Sequence, residues 1–278
     1  MVKNSLVLSL LLLGNVVSIM AQDFGLNLIG RWDRADLSEI DKQSYSDIWG
    51  WHDGNGREYA IMGSLDSIYF IEVTDPKNPV LRDVEAGKSI NVIHRDFKTY
   101  QHYCYAHGDE GYSSLQVFDM SYLPDSVKKV YDSDKEAYRV HNLHINEDKL
   151  YLASVRSAKD GFLPLRVLSL EDPENPKFLF DLDPPVIGVH KLFRDVHDLF
   201  VRNDSIFCAT GDDGLYSFIY SDSTTRSNGD SSWTAYSPNA TLMDWGILPD
   251  WWTLHRKRRP TTVVSSANLK QQGYAQTN

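Results

Sequence analysis

The sequence predicts an all-β protein, a β-propeller of four-stranded antiparallel blades whose repeats stop being recognisable toward the C-terminus. Three observations carry that expectation. A phrase recurs: VHNLHINEDKLYLA at 140–153 returns as VHDLFVRNDSIFCA at 196–209. Aligning the two exposes two more copies, at spacings of 46 to 56 residues. Each copy holds short runs rich in β-branched and aromatic residues, without the 3.6-residue periodicity of helical repeats. Two packed sandwiches remain the rival architecture.

The chain opens with MVKNSLVLSLLLLGNVVSIMA at 1–21, which places Lys3 before an apolar run from Leu6 to Leu13 and ends on Ala21. That is the pattern of a secretory signal peptide cleaved after Ala21. The run is shorter than the ~20 apolar residues that a membrane span requires. The mature chain is therefore expected to be secreted or displayed at the cell surface, without a transmembrane span.

Residues 24–218 are read as the repeat region. The leading segment NLIGRWD at 27–33 looks like a fourth strand lacking its first three, as if it completed a last blade and removed a free edge. The units then start near 46, 95, 141 and 197, with SDIWGW, RDFKTY, HNLHIN and HDLFVR. One column holds Asp47, Asp96, Asn142 and Asp198, and the next holds Ile48, Phe97, Leu143 and Leu199. A second strand follows through Tyr105, Tyr151 and Phe207; in the first unit it is delayed by the longer turn HDGNGRE and begins at Tyr59. A third strand carries Ile68, Leu115, Leu165 and Leu215 in register. The turns TDPKNP and EDPENP then lead to VLRDV and KFLFDL, and their prolines forbid a continuing helix.

After Phe218 the pattern fails. Residues 219–278 contain no D-P-x-N-P turn and no convincing fifth copy. They read either as a divergent cap or linker, or as a truncated or misread frame.

Composition narrows the function. A net charge of −10 repels nucleic acid and anionic lipid. The basic run HRKRR at 255–259 reads as a solvated tail segment. Cys104 and Cys208 sit in apolar runs and read as small buried hydrophobes, not as a disulfide framework. Asn203 and Asn239 stand in glycosylation sequons, used only in a eukaryotic host. There is no G-x-S-x-G, H-E-x-x-H, P-loop or G-x-G-x-x-G, and HRDFK at 94–98 lacks the companions of a kinase catalytic loop.

The units SDIWGW…GREYAIMGSLDSIYFIEVTDPKNPVL, HRDFKTYQHYCYA…SLQVFDMSYL and VHNLHINED…YLASV, with the NLIGRW lead-in, resemble the LVIVD-repeat proteins, also called the choice-of-anchor B family. The resemblance spans roughly residues 24–218. It implies a secreted or surface β-propeller and brings no catalytic residues with it. The further repeats and C-terminal anchoring module common in that family are not recognisable here.

In a propeller the first strand of each blade lines the channel, and its start shares a face with the loop between strands two and three. That places Asp47, Asp96, His141, Asn142, His197 and Asp198 around one channel mouth. The loops carrying Asp109, Glu110, Asp160, Asp212 and Asp213 should crowd the same rim. Such a set would suit Ca²⁺ through its oxygens or Zn²⁺ through its imidazoles, although no cofactor is required by the sequence. The competing role is structural: repeated polar pairs bond neighbouring backbone and fix blade geometry. His102, His107, His144 and His190 share no column and are read as surface or packing residues. The resulting expectation is a binding or interaction module without catalysis, whose partner is an extracellular protein or glycan. The alternatives are a metal-dependent hydrolase or lyase at the channel mouth and a structural surface protein.

Overall fold

The computed structural model describes residues 25–182, 186–187, 190–191, 193–203, 205–219 and 234–236. The expected signal peptide, the basic run and Asn239 lie outside the described residues. Each of the four units folds as a four-stranded antiparallel sheet with its strands in sequence order. Sheet 1 comprises β1 (Tyr45–His52), β2 (Glu58–Ser64), β3 (Ser67–Glu72) and β4 (Val80–Ala86). Sheet 2 comprises β5 (Arg95–Tyr100), β6 (Tyr103–Gly108), β7 (Leu115–Asp119) and β8 (Lys128–Ser133). Sheet 3 comprises β9 (Asn142–Asn146), β10 (Lys149–Ser157), β11 (Gly161–Ser169) and β12 (Lys177–Leu182). A short hairpin, β13 (Val186–Ile187) and β14 (His190–Lys191), follows. Sheet 4 comprises β15 (Asp198–Arg202), β16 (Ser205–Ala209), β17 (Leu215–Ile219) and β18 (Thr234–Tyr236).

The turns explain the repeated wording. In sheets 2 to 4 only two residues separate the first strand from the second, and Gln101, Glu147 and Asn203 stand there at φ 56°, 54° and 52°. That left-handed turn matches the twist of the strands it joins. In TDPKNP, Asp75 Oδ1 accepts the N–H of Lys77 at 3.0 Å and its Oδ2 accepts the Asn78 side chain at 2.8 Å. The aspartate thus folds the turn on itself.

Alternation divides each strand between two faces, and successive sheets pack face to face. Ile61, Ile68 and Phe70 of sheet 1 meet Phe97, Cys104 and Phe118 of sheet 2. Tyr105, Leu115 and Val117 meet Leu143, Leu150 and Leu152 of sheet 3. Tyr151, Leu165 and Val167 meet Leu199, Val201 and Cys208 of sheet 4. The first strands lie side by side, β1 on β5, β5 on β9 and β9 on β15. The stack is open among the described residues. Ile48 is 59% exposed although its column mate Leu143 is 1% exposed, and Leu215 is 56% exposed although Leu165 is fully buried. Both cysteines are free and buried, as their apolar runs imply.

Two expectations change. NLIGRWD forms no strand; it crosses the outer face of sheet 1, where Trp32 packs on Tyr69 with ring centroids 5.4 Å apart. Burial of aromatic surface, with no described strand beside it to pair with, sets its course. A Cβ on Gly30 would stand 1.7 Å from the Pro76 carbonyl oxygen, so only glycine fits there. Sheet 4 also gains a fourth strand, β18, inside the segment where the repeat pattern fails, and β13–β14 accounts for part of the longer spacing before the fourth unit.

Candidate functional site

The Asp/Asn column lies where neighbouring first strands meet. Asp47 Oδ2 accepts the backbone N–H of Phe97, one sheet on, at 3.4 Å. Asp96 repeats the reach: its Oδ2 accepts the N–H of Leu143 in sheet 3 at 2.5 Å, while its Oδ1 accepts Phe97 N–H at 2.8 Å and Lys98 Nζ at 2.7 Å. Burial raises the Asp96 carboxyl above the usual carboxylate range, against the opposing pull of Lys98. Between sheets 3 and 4 the bond shifts two residues along, to His144 Nε2, which accepts Val201 N–H at 3.2 Å. Asp198 turns to its own neighbour, accepting Leu199 N–H at 2.7 Å. Trp49 and Trp51 add bonds from β1 to β5, donating to Thr99 Oγ1 at 3.0 Å and to the Gln101 carbonyl at 2.9 Å. These contacts stitch first strands whose backbone edges have no ladder partner on that side.

One residue earlier the column reads Ser46, Arg95, His141 and His197, and here the repeats diverge. Arg95 is buried and donates Nε to Ser64 O at 2.9 Å and Nη2 to Leu65 O at 2.9 Å and Ser89 O at 2.5 Å. Burial lowers its pKa to about 10. It ties sheet 2 to the β2–β3 turn and exposes no charge.

His141 and His197 do something different. The β6–β7 loop lifts Asp109 and Glu110 toward the starts of β9 and β5. His141 Nδ1 lies 2.7 Å from Asp109 Oδ2, and Arg139 Nε lies 3.1 Å from Asp109 Oδ1. His141 Nε2 lies 2.9 Å from His197 Nδ1, within hydrogen-bond distance. His94, just before β5, sets its Nδ1 2.5 Å from Glu110 Oε1, and its ring centroid is 6.4 Å from that of His141. The hydrogen bond to Asp109 raises the His141 pKa. Burial pushes Asp109 upward, but the bonds from His141 and Arg139 outweigh it and hold the carboxyl low. Beside this cluster Tyr112, 67% exposed, stacks on Tyr138 with centroids 4.7 Å apart.

Of the residues that the sequence places at the mouth, the structure therefore joins His141 with His197 and puts Asp47 and Asp96 into bonds between sheets. Asn142 sits in the ladder opposite Ala153, and Asp198 faces its own strand. Asp160 is instead engaged by Arg166, whose Nη2 donates to its Oδ2 at 2.7 Å. His94 and Arg139 were not singled out for the rim by the repeat columns, because neither occupies a column position. Among the described residues, no group of three or more His, Cys, Asp or Glu side chains is placed to hold a metal ion as the side chains stand. No helix among them is long and apolar enough to cross a membrane.

These features define a β-propeller-like all-β repeat protein with one asymmetric polar rim. No family model matches the chain, and no curated protein matches it. Solved structures do. The N-terminal domain of Nup159 is similar at 10% identity and a TM-score of 0.40, over 68% of this chain and 47% of that one. A luciferin-regenerating enzyme is similar at 9% identity and 0.39, over 69% and 60%. An α-L-arabinofuranosidase of Clostridium thermocellum is similar at 12% identity and 0.34, over 70% and 69%. The chain thus spans less than two thirds of the first two of these.

Proposed function

We propose that the chain is a secreted or surface-displayed β-propeller of the LVIVD-repeat kind, a binding module without catalysis that contacts an extracellular protein or glycan through the His141–His197 rim. The observation that supports this is the broken repeat. A residue that holds sheets together should recur from sheet to sheet, as the carboxylates at 47 and 96 do across the first two junctions. The preceding column instead carries four environments, and only its last two positions join an Asp–His–His chain beside an exposed, stacked tyrosine pair. Loss of symmetry on a scaffold built from repeats is where a particular ligand would be read.

The test uses the exported chain on a printed array of defined oligosaccharides and immobilised matrix glycoproteins. Tyr112→Ala and Arg139→Ala should abolish a specific signal, whereas Lys128→Ala, at the opposite end of sheet 2, should leave it unchanged. A signal indifferent to both rim substitutions, or no signal for any probe, would overturn the reading. N-terminal sequencing of the exported material should begin at Gln22.

A further inference from the structure

We propose that His94, His141 and His197 form a site for one divalent transition-metal ion, Zn²⁺ being the chemical type, at the rim. The inference rests on the reading of that rim as a ligand surface and deepens it by naming the ligand. Three observations carry it.

The first is the state of the two carboxylates. Asp109 Oδ2 holds His141 through Nδ1 at 2.7 Å and Glu110 Oε1 holds His94 through Nδ1 at 2.5 Å. Neighbouring residues of one loop thus hold two imidazoles through Nδ1, which turns the Nε2 of His141 toward His197. Pinning the far ring nitrogen to a carboxylate is the arrangement that orients metal-bound histidines and raises their basicity. A purely structural rim has no need for it twice.

The second is the meeting of His141 Nε2 and His197 Nδ1 at 2.9 Å. Two ring nitrogens this close share a proton or share a cation. Zinc–nitrogen bonds of ~2.0–2.1 Å at a tetrahedral angle put the nitrogens roughly 3.3 Å apart and the ring centroids about 5 Å apart. The observed centroid separations, 4.6 Å for His141–His197 and 6.4 Å for His94–His141, fall on either side of that value. Metal binding therefore asks the first pair to part by about 0.4 Å and His94 to swing inward.

The third is freedom to make that movement. The His94 side chain is 60% exposed, and His197 is also exposed. Both can rotate without opening a core. Glu110 can follow His94, since its loop carries Gly111 at φ 64°. Three imidazole nitrogens favour Zn²⁺ and its neighbours over Ca²⁺ or Mg²⁺, which seek oxygen. The fourth position stays open to water or to a donor atom of the partner.

The experiment is calorimetric titration of ZnCl₂ into the chelator-treated protein, with CaCl₂ as the contrast and circular dichroism as the check on folding. One Zn²⁺ per chain is expected, and no Ca²⁺. His94→Gln and His197→Gln, at exposed positions, should each weaken binding at least 10-fold, and Asp109→Asn should weaken it 10–100-fold by freeing His141. Binding should also fade as the solution is acidified, because protons compete for the same nitrogens. Absence of stoichiometric binding, or binding that His94→Gln and His197→Gln leave unchanged in folded protein, would overturn the proposal. Repeating the array experiment with and without a chelator separates the two readings. Partner binding that survives metal removal leaves the module standing without its metal, and zinc binding with no array signal does the reverse.

Discussion

Replacing Asp96 by alanine tests whether the carboxylate column holds neighbouring sheets together. The side chain accepts three hydrogen bonds: from Leu143 N–H across the sheet boundary, from Phe97 N–H, and from Lys98 Nζ. Alanine leaves the Leu143 donor without its acceptor, while the Phe97 donor keeps only the 3.4 Å contact to Asp47. Each buried donor left unpaired costs about 1–3 kcal/mol. Removing a desolvated carboxylate returns part of that cost. The net loss should be about 1–3 kcal/mol, or roughly a 2–12 °C fall in Tm for a chain of this size. Asp96→Asn keeps an acceptor for Leu143 and should lose about half as much.

The pH dependence follows from burial. Burial raises the Asp96 carboxyl in the folded protein above its unfolded value. The stability it contributes is therefore full below the unfolded carboxylate range and is lost as pH rises through the raised value. Wild type should weaken over that window and the asparagine variant should not. Thermal denaturation followed by circular dichroism at several pH values measures both effects. An alanine variant that melts within about 1 °C of wild type would refute the account of the column.

His107 is buried, accepts Gly108 N–H at 2.7 Å, and has its pKa lowered by burial to about 4. Its contribution is present above the ordinary imidazole range and lost as pH falls toward 4, so urea titrations should show an acid-side decline that His107→Gln flattens. A Cβ on Gly63 would stand 2.1 Å from Ser46 Oγ and 3.0 Å from the Phe97 ring, so Gly63→Ala should cost about 1–3 kcal/mol by urea denaturation. Because Ser46 Oγ is buried without a hydrogen-bond partner, Ser46→Ala should be close to neutral, and Gly63→Ala should cost less in that background. Leu165→Ala should cost about 2–5 kcal/mol and Leu215→Ala under about 1 kcal/mol. Equal losses at the two positions would show that sheet 4 has a covered outer face.

The strands and their grouping were legible in the sequence because a repeat shows its alignment directly. Columns such as Phe97, Leu143 and Leu199 mark the face that each sheet presents to its neighbour, and the aspartate of TDPKNP marks its own turn. Legibility ended where local chemistry stopped repeating. β18 follows a stretch without the turn motif, and NLIGRWD has the composition of a strand but is taken by Tyr45 and Tyr69 of sheet 1. Candidate residues were legible where they occupied columns or the loops between second and third strands. His141 and His197 stand out in the repeated phrases, and Asp109 and Glu110 in the loop after the second strand of unit two, whereas His94 and Arg139 do not. By itself the sequence determined four repeat units of short strands and a polar residue at the start of each first strand. Tertiary structure alone decided which of those residues meet. His94, Asp109, His141 and His197 come from segments joined to different strands, and only the stacking of sheets 2, 3 and 4 carries them to one rim. No local spacing encodes that distance; it follows from how far each sheet is set from the next by the side chains packed between them.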